Sequence, residues 1–352
     1  MNPNRKGISV IICVFNGETR LPETLRCLAK QEKTEDFNVE IILIDNASTD
    51  KTTKIAKKIW AETGSKTEFK ILSEPAPGKS NALVTGFNNA QYEYLLICDD
   101  DNRLFPDYLS TAFKIMENHP EVGVLGGQGI PDFESTPPFW FEKFKQYFAI
   151  GKQLPESGIL PDDSYSVYGA GAILRSKIWL QLKQVNFHFL LTCMRGKVSV
   201  GGEDTELFEM VKMFGYKIMI NNNMRFYHYL PSGRLIWDNF VKFVNSLGRS
   251  NIYIYVYVHC RKNDDSPLEK TKMAYWLDKY IYTLKSMKKF VPVILKSLFS
   301  GMEGDENYIL YQGYRGRLYE LRKLKGKYDD LFEIISTYKK NNNDPVQDAI
   351  TI

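Results

Sequence analysis

The stretch Tyr94-Leu95-Leu96-Ile97-Cys98-Asp99-Asp100-Asp101-Asn102 decides how the rest of the chain is read. Its apolar run lacks polar alternation, which predicts a strand covered on both faces. Three adjacent carboxylates at the end of such a strand repel one another unless something cationic sits there. Alone, an acidic triplet is a solvated turn or a helix cap. Delivered by a buried strand, it becomes a ligand edge, and Mg²⁺ or Mn²⁺ shared with a diphosphate is the cation that suits hard oxygens.

Upstream, the same pattern recurs. Ser9–Phe15, Val39–Ile44 and Phe69–Leu72 read as strands, the second ending at Asp45. Leu21, Leu25 and Leu28, with Pro22 near the start, mark a helix between the first two. Asp50 is placed to cap a second helix carrying Ile55, Ile59 and Trp60 inward. A third follows Pro77-Gly78 over Ser80–Ala90. This alternation predicts right-handed βαβ units, an α/β fold with a mostly parallel central sheet flanked by helices. Ligands in such sheets bind beyond the carboxyl ends of the strands, so Asp45 and Asp99–Asp101 share one edge.

Downstream, the pattern loosens from about residue 122 into a stretch holding Gly126-Gly127, Pro137-Pro138-Phe139-Trp140 and Gly169-Ala170-Gly171. A helix resumes at Glu203–Phe214, closed by Gly215. Beyond Pro231 the chain turns basic, helical and aromatic. The expected organisation is a first domain over 1–233 (halves about 1–121 and 122–233), a basic helical region over 234–338 and a flexible tail over 339–352.

The 352 residues are 43% hydrophobic and 25% charged, which excludes a collagenous or wholly disordered chain. A net charge of +4 is too mild for a dedicated nucleic-acid binder. Residues 1–233 carry 26 basic and 28 acidic side chains, and residues 234–352 carry 20 and 14. Five scattered cysteines without a CxxC pair form neither a disulfide framework nor a zinc site, which suits a reducing compartment. The basic N-terminus imitates a signal peptide, but its apolar run is short and no small-residue cleavage site follows. The longest unbroken apolar stretch, Ile252–Val258, falls far below the about 20 residues of a membrane span. The expected location is the cytoplasm, peripheral on the inner face of the cell membrane.

Four motifs in register resemble family 2 glycosyltransferases. Ile41-Ile42-Leu43-Ile44-Asp45-Asn46-Ala47-Ser48-Thr49-Asp50 is similar to that family's VDDGSTD segment, and Ser9–Asn16 to its first strand. Asp99-Asp100-Asp101 falls at its DXD position, and Gly202-Glu203-Asp204-Thr205-Glu206-Leu207 looks like its GED-x-x-L motif. His228-Tyr229-Leu230-Pro231 with Arg234, then Gly248-Arg249-Ser250, resembles its tail. Together these cover roughly residues 8–250.

The resemblance implies a GT-A (nucleotide-diphospho-sugar transferase) fold, a nucleotide-sugar donor and an inverting transfer to a glycan or lipid-linked saccharide. Carried over, Asp45 would meet the base, Asp99 the ribose and metal, and Asp101 the metal, with Asp100 beside them. Asp204 would be the general base, Glu203 its neighbour; the helix dipole alone would also favour acids there. His228 could complete the metal's ligands or be a structural histidine. Arg234 could meet the diphosphate or anchor the next helix. Lys79 sits where relatives show G-K-x-x-A-L and is a nucleotide-binding candidate, although Val84 replaces an asparagine. Trp140 could stack on an acceptor sugar or simply pack.

Residues 242–299 hold 11 Lys and Arg against 4 Asp and Glu. Ile281, Leu284, Met287, Val291, Ile294, Leu295 and Leu298 fall on one side of a helical wheel, and Pro292 must break or kink the helix. Such a basic amphipathic segment suits an anionic membrane surface, unless the stripe packs on the catalytic domain. Two other functions share the fold: a catalytically silent nucleotide-sugar or glycan-binding module, and a sugar-phosphate nucleotidyltransferase. Phe15-Asn16 and Glu18 occupy positions where the latter needs glycines to approach phosphates.

Overall fold

A computed structural model describes residues 5–32, 36–162, 167–191, 193–195, 198–262 and 274–342. Gly7–Val14 (β1), Asn38–Asp45 (β2), Glu68–Ser73 (β3) and Tyr94–Asp99 (β4) run parallel in the order β3-β2-β1-β4. Leu21–Ala29 (α1), Thr52–Thr63 (α2) and Lys79–Asn89 (α3) connect them. Pro22 lies in the first turn of α1, where a missing N–H costs nothing. Asp50 stands one residue outside the helix cap and still accepts from the Thr52 amide at 2.9 Å.

Both faces of this sheet are covered, as the unbroken apolar runs require. Ile8, Val10 and Ile12 face a core shared with Leu21, Leu25 and Trp60. Ile11 turns the other way onto Ala82, Leu83 and Phe87.

The loosened stretch supplies the other half of the sheet. It contains Asn102–Leu104 (β5), Tyr108–Asn118 (α4), Val122–Phe133 (β6), Phe141–Phe144 (α5), Gly158–Ile159 (β7), Ile173–Arg175 (β8) and Ser176–Gln184 (α6). Cys193–Arg195 (β9) and Val198–Val200 (β10) form a separate antiparallel pair. Glu203–Met213 (α7) and Lys217–Leu230 (β11) follow. β8 lies antiparallel between β4 and β6, β6 runs parallel to β11, and β5 and β7 flank β11 antiparallel. The glycines of β6 reflect close approach: a Cβ at Gly129 would collide with the Ala149 carbonyl oxygen.

Trp237–Lys262 (α8), Ala274–Met287 (α9), Val291–Lys296 (α10), Glu306–Lys323 (α11) and Tyr328–Asn342 (α12) complete the chain. Ile252, Tyr253, Val256 and Tyr257 of α8 share one continuous core with Leu207 and Phe208 of α7 and Phe332 and Ile335 of α12. The region after 233 is thus built onto the sheet layer by α8 and α12. Helix α12 runs into the segment expected to be a flexible tail, because Tyr338 packs on Phe187 and Lys339 reaches the Cys260 carbonyl. The remainder of that tail lies outside the described residues.

Pro292 falls in the first turn of α10, after a tight 3-10 turn at Lys288–Phe290, so the helix breaks where proline requires. Trp276, Thr283 and Phe290 anchor this segment inward. Most of the apolar stripe does not pack: Ile281, Leu284, Val291, Leu295 and Leu298 are exposed, while Met287 and Ile294 are half-buried. No helix among the described residues is long and apolar enough to cross a membrane.

Candidate functional site

Parallel strands β1, β2 and β4 deliver their loops to one edge, where short polar bonds stitch them together. Asn16 Oδ1 accepts from the Thr49 amide at 2.8 Å, and the Gly17 amide donates to Thr52 Oγ1 at 2.8 Å. Buried Asn46 accepts from the Gly78 amide and donates to the Glu74 and Ala76 carbonyls, fixing the turn that launches α3. Asp45 is held by the Ser48 amide at 3.0 Å and Thr53 Oγ1 at 2.8 Å. Beside it, Phe15 exposes its ring at the end of β1, an aromatic face that the strand pattern did not single out.

The three carboxylates after β4 diverge. Asp99 accepts from Lys79 Nζ at 2.5 Å. Asp100 turns back to Arg20 at 2.7 Å, and its carbonyl accepts from Thr24. Burial pushes the Asp100 carboxyl up to about 6, against the pull of Arg20. Asp101 points the third way, 3.4 Å from His228 Nε2 and 3.7 Å from Arg234 Nη1. Burial would raise its pKa, but His228, Arg234 and Lys79 outweigh that and hold it at about 2.

The register of β11 explains His228: it lies between Asn102 of β5 and Pro131 of β6, at the same sheet edge. Its Nδ1 donates to the Phe148 carbonyl at 2.9 Å, which fixes the ring with Nε2 facing Asp101. Arg234 Nη1 lies 3.2 Å from that same nitrogen. His228 and Arg234 therefore converge with Asp101.

Asp204 opens α7. Its Oδ2 accepts from the Gly169 amide at 3.0 Å and its Oδ1 from the Thr205 amide at 2.7 Å. The Gly169-Ala170-Gly171 passage is tied to β4 in turn, through Gly171 N to Ile97 O and Ile97 N to Ala172 O. Beside Asp204, buried Glu203 lies 3.9 Å from Lys79 Nζ, and burial raises its pKa. One ammonium thus touches both the acids after β4 and the acids opening α7, so the two groups face each other at one edge. Lys79, the nucleotide-binding candidate, engages the carboxylates of Asp99 and Glu203.

Trp140 offers no sugar platform. It is 2% exposed and stacks on Phe240 at 5.2 Å. Residues the sequence reading did not name include Arg20 as the partner of Asp100, and Asn102, which links the Asp99 amide to Asp101 Oδ1. A clue to the first was available, since Arg20 follows the first strand's loop.

Among the described residues no three His, Cys, Asp or Glu side chains form a closed metal cage. Asp101 and His228, with Asp99 nearby, fit an open site, in which one or two protein ligands leave positions for phosphate oxygens and water.

Residues 9–179 match the profile described as Glycosyl transferase family 2. Over this segment, just under half of the chain, the sequence is similar to glycosyl transferase family 2. Glycosyltransferase GlyA of Streptococcus pneumoniae is 25% identical to this chain over 242 residues, covering 65% of it and 32% of GlyA. Poly(ribitol-phosphate) beta-N-acetylglucosaminyltransferase TarS of Staphylococcus aureus is 30% identical over 140 residues, 37% of this chain and 24% of TarS. Human dolichyl-phosphate beta-glucosyltransferase is 34% identical over 108 residues, 29% of this chain and 33% of that protein. The matches span only 24% to 33% of these relatives' own lengths. The crystal structure of S. aureus TarS 1–349 with UDP-GlcNAc superposes with a TM-score of 0.50 at 16% identity, covering 96% of this chain and 90% of that one. At that identity the likeness is one of fold, and the fold is the GT-A type that the resemblance implied.

Proposed function

We propose that this chain is a metal-dependent, inverting glycosyltransferase that moves a sugar from a nucleotide-sugar donor to a hydroxyl of a glycan or lipid-linked saccharide. Its setting is cell-surface polysaccharide synthesis, in the cytoplasm and peripheral to an anionic membrane surface. The observation that carries this reading is Lys79, whose ammonium spans Asp99 and Glu203 and so puts the acid cluster and the Asp204 helix on one edge.

In this reading Asp45 and the ring of Phe15 receive the base, and Asp99 the ribose. Asp101 and His228 hold the cation, and Arg234 meets the diphosphate. Asp100 and Lys79 act through Arg20 and through Asp99 and Glu203, respectively. A divalent cation, when bound, offsets the charge developing on the leaving diphosphate. Asp204 takes the acceptor hydroxyl's proton as that oxygen bonds to the anomeric carbon and the bond to the diphosphate oxygen breaks. Backbone amides at both of its oxygens fix the direction of approach.

The test is release of nucleoside diphosphate with and without Mn²⁺, compared between wild type and Asp204→Asn. TarS 1–349 has been crystallised with UDP-GlcNAc, so UDP sugars are the first donors to try. Metal-dependent release that Asp204→Asn abolishes supports the proposal. Donor binding without turnover for any acceptor would instead make the chain a silent binding module.

A further inference from the structure

The segment 274–299 presents apolar and cationic side chains to solvent together. Leu277, Ile281, Tyr282 and Leu284 of α9 are exposed, as are Val291 and Leu295 of α10. Leu298 and Phe299, just beyond α10, are 69% and 87% exposed. A patch of this kind on a soluble domain marks a contact surface. The segment carries five lysines against one aspartate. Lys285, Lys288 and Lys289 have no carboxylate within ion-pair distance among the described residues, whereas Lys296 meets Asp305 at 3.2 Å. Apolar side chains flanked by unpaired ammonium groups, on helices too short and polar to span, complement an anionic lipid surface.

The plate also connects to the candidate site. After Phe299 the chain returns through Glu303, whose Oε1 accepts from Trp140 Nε1 at 2.9 Å, and Gly304, which lies against Phe139 and Trp140. Trp140 stacks on Phe148, whose carbonyl holds His228. Phe139, next to Trp140, is itself 79% exposed. The chain leaving the plate is therefore anchored on the packed rings that hold His228.

We propose that the α9–α10 plate docks on an anionic bilayer, and that the acceptor saccharide reaches the site carried on lipid in that bilayer. The second clause rests on the glycosyltransferase reading above; the first does not.

The test is co-sedimentation of the full chain with vesicles of phosphatidylcholine alone and of equal parts phosphatidylcholine and phosphatidylglycerol. Two variants accompany it, Lys285→Glu/Lys288→Glu/Lys289→Glu and Leu295→Glu/Leu298→Glu. Neither set lies in the catalytic machinery, so acceptor-free donor turnover stays at the wild-type rate in both and reports their folding. Binding is expected to the anionic vesicles only. Each lysine near anionic lipid contributes about fivefold, so the lysine variant binds on the order of a hundredfold more weakly. The leucine variant weakens binding as well, because buried apolar area is lost. Equal binding to both vesicles, no binding, or unchanged binding by both variants overturns the docking proposal. So does a size-exclusion profile in which the leucine variant dissociates a wild-type dimer, since a second copy would then own the plate. If vesicles bind but turnover with a lipid-linked acceptor is no faster on them than in detergent, the lipid-acceptor clause falls and the plate stands. If vesicles bind and no donor is ever turned over, the catalytic reading fails independently.

Discussion

Lys79 Nζ lies 2.5 Å from Asp99 Oδ1, at the point where α3 begins and β4 ends. Burial alone would push this ammonium down, but Asp99, Glu203 and Asp204 hold it well above the ordinary lysine range. It behaves as an internal counter-ion that permits several carboxylates to share one edge. Lys79→Met leaves those acids uncompensated. The expected loss is about 2 kcal/mol in urea unfolding, below the cost of breaking a fully buried pair because both side chains keep some exposure. An unchanged midpoint would show that the bridge carries no stability.

Gly169 sets a second constraint. A Cβ built there falls on the carboxylate of Asp204, closer than any real contact allows. Gly169→Ala must therefore displace either the passage or the Asp204 carboxylate, the proposed base. A displacement near 1 Å costs a reaction on the order of a hundredfold. We expect kcat to fall by that order while the donor KM changes little, as the donor contacts lie across the edge. Steady-state kinetics on the UDP sugar that supports turnover separates the two parameters.

The N-terminal half was legible because its physics is local. Strands such as Ile41-Ile42-Leu43-Ile44 are apolar on both faces, and each is followed by a helix with its own start signal. The strands β6 and β11 were not legible. β6 carries glycines where neighbouring backbone presses close, and β11 interrupts its apolar residues with Asn221-Asn222-Asn223 and a register shift. In the site, residue types marked Asp101, His228, Arg234 and Asp204, all of which reach one edge. Which acid pairs with which cation depends on side-chain direction, so neither the Arg20–Asp100 pair nor the Lys79–Asp99 pair is legible from residue types. The exposure of the α9–α10 stripe is a tertiary fact that a helical wheel does not contain.

The proposed open cation site makes a graded prediction. Asp101 and His228 face each other at 3.4 Å, and each would contribute one ligand. Chelation by EDTA should abolish donor turnover, and added Mn²⁺ should restore it. In His228→Ala the half-saturating Mn²⁺ concentration is expected to rise on the order of tenfold or more. Asp101→Asn should rise further, since it removes a charge as well as a ligand. Calorimetric Mn²⁺ titration in the presence of nucleoside diphosphate measures this without turnover. Identical affinities in wild type and both variants would place the cation elsewhere.

Glu206 ties the second half of the site to the helical layer. Its carboxyl accepts from the Leu190 amide at 2.7 Å, the Leu191 amide at 2.9 Å and Tyr257 Oη at 2.6 Å. Even with three donors, burial pushes its pKa up to about 7 from an ordinary 4.5. The folded state therefore holds a proton that the unfolded chain releases between about pH 4.5 and 7. Stability contributed by this group falls as the pH rises through that window, by about 3 kcal/mol in all, and is flat above it. Tyr257→Phe removes a donor that favours the ionised form. It should extend the falling limb to higher pH and lower stability at pH 8 more than at pH 5. Urea unfolding at a series of pH values checks the sign, and a variant whose loss is larger at pH 5 than at pH 8 would refute it.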